Sequence, residues 1–170
     1  MNKVDAILSR ARAAGADALA PTNALIHVSW DASPDLDQFL NFISAYTRGR
    51  FPNSLAERVT LASTELLDNA IRYGSLARDF TYRLAIEGAG VAVSVQNTTV
   101  RARIDMLSAQ LRRLETAPEQ VYASELERSM TGNGGRRSML GLARVRHEAE
   151  MTIELDVEVN EVTVRAVCKR

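Results

Sequence analysis

Between Asn53 and Tyr73 the residues Leu55, Val59, Ala62, Leu66, Ala70 and Tyr73 recur at spacings of three and four, which lays one wide apolar face along a helix. A helix cannot shield such a face by itself, so a second layer has to cover it. The following segment supplies that layer. Phe80, Tyr82, Leu84 and Ile86 alternate with Thr81, Arg83, Ala85 and Glu87, and after Gly88-Ala89-Gly90 the alternation resumes with Val91, Val93 and Val95. This reads as a hairpin with one buried face.

The flanking segments extend both layers. "ALIHVSW" is a short apolar strand, and "SPDLDQFLNFISAYTRGRF" is a helix with Ser33 as N-cap and Pro34 at its first position. Gly74 ends the Asn53 helix. From Arg103 to Met130 the pattern is helical again, with Ile104, Leu107, Leu111 and Leu114 in one stripe, and Pro118 opens a second segment holding Val121, Tyr122, Leu126 and Met130. A short helix, "MLGLARVRHE", leads into the strands "MTIELDV" and "VTVRAVC", joined at Asn160. The expected fold is an α+β two-layer sandwich, a mixed sheet with helices on one face, its other face left to water or to a partner.

With 170 residues and 46% apolar content, residues 23–170 suffice for one core. Residues 1–22 form a separate helical arm striped by Val4, Ile7, Leu8 and Ala11. Such an arm either folds back onto the domain or makes a homodimer or partner contact, and its sequence alone does not choose.

Composition removes several function classes. Lys plus Arg and Asp plus Glu both number 21, so no global charge draws the chain to nucleic acid or an acidic membrane. A lone Cys168 excludes an internal disulfide, and His27 and His147 are too far apart in sequence for a zinc-ligand cluster. With no apolar run long enough to span a bilayer and no signal-peptide pattern, a cytoplasmic protein is expected.

Chemistry concentrates in two stretches. In "STELLDNAIRYGS", Glu65 and Asn69 lie about 40° apart on the helical wheel, at the edge of the apolar stripe. A carboxylate there can accept a proton, and an amide oxygen one turn later can take one position in a magnesium shell. The same spacing also suits a Glu held by the helix dipole and a solvated Asn. In "TGNGGRRSMLGLARV", Gly132, Gly134, Gly135 and Gly141 surround Arg136, Arg137 and Ser138. Glycines let backbone amides approach an anion, and a helix starting at Ser138 aims its free N–H groups the same way; a plain surface loop has the same composition.

Together with the element order, these stretches resemble the GHKL superfamily of ATPases, which includes histidine kinase catalytic domains and small anti-sigma serine kinases. "ELLDNA" is similar to the family's N-box, matching Glu65 and Asn69, and "GNGGRRSMLGLARV" to its glycine-rich lid and following helix. "ELLDNAIRYG", "VSVQNT", "PEQVYASELE" and "LGLARV" resemble a branch of small ATPase-like signalling regulators found beside response-regulator and partner-switching proteins. The resemblance implies a pocket for ATP and magnesium between the N-box helix and the lid, with Asn69 as metal ligand, Glu65 as catalytic base, and Gly132, Gly134, Gly135, Arg136, Ser138 and Gly141 around the phosphates.

One departure falls where adenine binds. The family's Asp-x-Gly-x-Gly is replaced by "NTTVR", with Asn97 in the place of the Asp. An Asn oxygen still accepts a hydrogen bond, but without charge assistance it is weaker by roughly 1 kcal/mol, and β-branched Thr98 and Thr99 narrow the backbone's approach. Two expectations follow. One is a signalling regulator working through a protein partner, an anti-sigma antagonist-type or receiver domain, with nucleotide binding weak or lost. The other is an active magnesium-ATP-dependent serine/threonine kinase.

Overall fold

The computed structural model describes residues 23–30, 35–74, 80–131 and 139–169. The expected arm 1–22 and Gly132, Gly134, Gly135, Arg136 and Ser138 of the glycine loop lie outside them. Strand β1 (Ala24–Trp30) is followed by helices α1 (Leu36–Arg50) and α2 (Asn53–Tyr73), then by the hairpin β2 (Phe80–Glu87) and β3 (Gly90–Thr98). Helices α3 (Arg101–Thr116), α4 (Pro118–Met130) and α5 (Leu140–His147) precede the hairpin β4 (Thr152–Glu158) and β5 (Glu161–Lys169). The order β1-β2-β3-β5-β4 makes one five-stranded sheet.

The α+β two-layer architecture is the expected one, but the sheet is antiparallel at every pairing rather than mixed. Parity explains this. A parallel neighbour follows from a single crossover helix, whereas two helices separate β1 from β2 and return the chain running the other way.

Register places the alternating residues in continuous rows. Val28, Tyr82, Val95, Val164 and Leu155 stand side by side, as do Ile26, Leu84, Val93, Ala166 and Ile153, and these rows face the helices. The opposite face carries Ser29, Thr81, Gln96, Thr163 and Asp156 in one row and His27, Arg83, Ser94, Arg165 and Glu154 in the next. Arg165 bridges Glu154 and Glu87 there. A face of this composition keeps its charges hydrated and leaves the core to one side of the sheet.

Helix α2 is the central packing element. Its Val59, Ala62, Leu66 and Leu67 are fully shielded, as its spacing dictates. Buried Ser63 donates to the Val59 carbonyl at 2.7 Å, so the Tyr82 phenol, 2.8 Å away, donates to the Ser63 oxygen. Burial raises the Tyr82 pKa and keeps that proton in place. Helix α1 starts two residues later than Ser33 and Pro34 suggested: its N-cap is Asp35, whose carboxylate accepts from the Gln38 amide at 3.0 Å. A carboxylate at this position satisfies an orphan amide and complements the positive helix end.

Candidate functional site

Asn69 and Asn97 reach one place from different layers. Asn69 sits on the last turns of α2, and Asn97 occupies the helix-facing row of β3, between Phe80 and Val162. Both line a cavity of about 50 Å³ shared with Tyr73, Arg103, Leu107 and Gln110, room for only a few waters. The cavity wall is otherwise largely apolar, with Leu66, Val95, Leu142 and Val164 contributing.

The polar groups at this cavity are engaged with the end of α2. Asn97 donates through Nδ2 to the Ala70 carbonyl at 3.3 Å, and Gly74 N donates to the same oxygen at 2.8 Å. Thr99 Oγ1 donates to the Tyr73 carbonyl at 2.7 Å. Arg103 of α3 donates from Nη1 to the carbonyls of Tyr73 and Gly74, at 2.7 and 2.8 Å. The last carbonyls of a helix carry its negative end, and a guanidinium there both satisfies and neutralises them. These contacts tie α3 across the C-terminus of α2, so that α3 walls the cavity.

Glu65, one turn before Asn69, points elsewhere. Its Oε1 accepts from Arg144 Nη1 of α5 at 2.6 Å, and Gly141, one turn earlier on α5, packs directly over its other oxygen. Burial pushes the Glu65 carboxyl above the ordinary carboxylate range, with Arg144 pulling against it. Arg144 also donates through Nε to both oxygens of Glu148, 3.1 and 3.2 Å away, and Tyr122 donates to Glu148 Oε1 at 2.9 Å. For Glu148 burial acts upward, but the hydrogen bonds from Arg144 and Tyr122 outweigh it and hold the carboxyl below its usual value. Tyr122 stacks on His147 with ring centroids 4.1 Å apart, and His147 Nδ1 lies 3.1 Å from Glu119. A polar chain thus runs from Glu65 through α5 to the surface of α4.

Of the residues singled out from sequence, Asn69 and Asn97 are brought together, while Glu65 and Gly141 meet each other on the α5 side. Arg144, Arg103, Thr99 and Glu125 were not anticipated. Glu125 is 3% exposed and its Oε2 accepts from the Met139 amide at 3.0 Å, holding the entry to α5 against α4. No local pattern marks these partners, since Glu65 and Arg144 are 79 residues apart and Asn97 and Ala70 are 27 apart. Among the described residues, no group of three or more His, Cys, Asp or Glu is placed to hold a metal, and no helix is long and apolar enough to cross a membrane.

No family model matches the chain, and no curated protein matches it. Among solved structures, a chain of the SiaB–SiaC complex from Pseudomonas aeruginosa is similar over 99% of this chain and 99% of its own, with a TM-score of 0.65 and 17% sequence identity. At that identity the likeness establishes a shared α+β fold.

Proposed function

We propose that this chain is a signalling regulator with a histidine kinase-like ATPase fold, acting through a protein partner in a partner-switching or response-regulator pathway, with nucleotide binding weak or lost. The observation that carries this reading is the state of Asn97. Its donor end is turned to the Ala70 carbonyl, and Thr99 and Arg103 close the surrounding wall onto α2. As arranged, these residues do not fit an adenine ring, because the cavity between them holds only a few waters. A fold shared with a chain crystallised in a two-protein complex supports work through a partner. An anti-sigma antagonist-type domain or a receiver domain is the partner class that the N-box and lid resemblance favours. Calorimetric titration with ATP and magnesium tests the nucleotide half of this reading: no saturable heat at millimolar ATP is expected, and tight magnesium-dependent binding would overturn it. Titration with an anti-sigma antagonist-type domain and with a receiver domain tests the partner half, which fails if neither binds.

The second reading, an ATP-dependent serine/threonine kinase, is favoured by the burial-raised carboxyl of Glu65, which suits a proton acceptor, and by Asn69 opening onto the cavity. Under it, Glu65→Gln keeps ATP binding and abolishes phosphate transfer, and Asn69→Ala removes only the magnesium-dependent part of the affinity. If neither wild type nor variant transfers phosphate to any bound partner, this reading falls.

A further inference from the structure

Helix α1 presents an aromatic face that no described element covers. Phe42 is 51% exposed, flanked by Phe39 and Tyr46 with ring centroids 6.2 and 6.0 Å away, and Phe39 continues the row to Trp30 of β1 at 4.7 Å. From Gln38 to Thr47 no residue is charged, in a chain whose charged content is 25%. Exposed Ala45 and Gly49 lie beside Phe42 and Tyr46, and a Cβ on Gly49 would meet nothing, so another helix could approach closely. The two sheet edges differ in the same sense. Edge strand β4 carries Glu154, Asp156 and Glu158, the charges that keep an edge from pairing, whereas edge strand β1 has none.

We propose that this face of α1 is the seat of the chain's own residues 1–22. The segment ends at Asn23, whose carbonyl accepts from Ile86 N at 3.0 Å, so it leaves the domain at the start of β1, the strand that α1 follows. A helix of that length reaches about 33 Å at 1.5 Å per residue, and β1 extends about 23 Å at 3.3 Å per residue, so the segment can run the full flank of β1 and α1. Its stripe of Val4, Ile7, Leu8 and Ala11 is apolar where the α1 face is apolar. Two bare faces on one chain meet at a local concentration in the millimolar range through the short connection, which favours the chain's own segment over a second copy.

Placing p-benzoylphenylalanine at Phe42 of the full chain, or at Ala45 should the Phe42 variant not fold, tests this without assuming a register. Irradiation of a mixture of isotopically light and heavy chains is expected to join position 42 to residues 1–22 of the same chain, at monomer mass. The same group at Val100, 57% exposed at the N-cap of α3, should not reach them. Ile7→Asp with Leu8→Asp should cut the position 42 product several-fold while thermal unfolding stays cooperative. Light-to-heavy products would assign the face to a second copy, and products that avoid 1–22 or survive the Asp substitutions would likewise overturn the proposal.

Discussion

Arg144 donates to Glu65 Oε1 at 2.6 Å, while the other Glu65 oxygen lies 2.5 Å from where a Cβ on Gly141 would stand. One carboxylate therefore joins α2 to α5 from both sides. Glycine inside a helix costs about 1 kcal/mol relative to alanine, and here the close approach of Glu65 accounts for it.

Gly141→Ala is expected to change sign with its neighbour. In the wild-type background the new Cβ displaces the Glu65 carboxylate from Arg144 and the protein loses about 1 kcal/mol despite better helix propensity. In a Glu65→Ala background the clash is gone and the same substitution gains about 1 kcal/mol. Urea unfolding of the four proteins checks this, and equal effects in both backgrounds would mean that Glu65 does not constrain position 141.

The raised carboxyl of Glu65 has a defined pH signature. Between its unfolded and folded pKa values the native state binds more protons, so this group lowers stability as pH rises through that window. Wild type minus Glu65→Gln stability should therefore fall from the ordinary carboxylate range upward and level off above the folded pKa. Melting temperatures of both proteins from acid to neutral pH provide the comparison; a difference that grows with pH would show the Arg144 attraction to dominate instead.

Glu125 is the other buried carboxylate between helices, accepting from the Met139 amide and, at 2.9 Å, from Arg128. Glu125→Ala strands the Met139 amide and should cost about 1–3 kcal/mol. Glu125→Gln keeps one acceptor and should cost less. Amide hydrogen exchange at residues 139–143 should quicken in the Ala variant, and protection unchanged there would remove Glu125 as the anchor of α5.

At the β4–β5 turn, Val159 has a φ of 57° and is 85% exposed. A β-branched residue in the left-handed region is strained by roughly 1–2 kcal/mol, and its exposed side chain contributes no packing in return. Val159→Gly should thus raise stability by about 1 kcal/mol in urea unfolding, leaving the Thr99 N–H bond to the Asn160 carbonyl at 2.8 Å intact. A loss of stability would show that the turn is not strained.

The layers were legible in the chain because their signals are local. The α2 stripe, the β2–β3 alternation and the Pro118 break each lie within a few turns or strand residues, and each predicted element is found where its period placed it. The Asp35 cap was missed because Ser33-Pro34 carries an equally good signal two residues earlier, and only the hydrogen bond from Gln38 separates them. Strand direction was misread because parity depends on how many helices cross the layer before the next pairing, not on any strand's own composition. The sequence by itself determined that Glu65 and Asn69 share the edge of one helix, through the 3.6-residue period. Tertiary structure alone decided that they part company, Asn69 to the cavity with Asn97 and Glu65 to Arg144, because those partners come from strands and helices far along the chain, brought close only when the two layers pack.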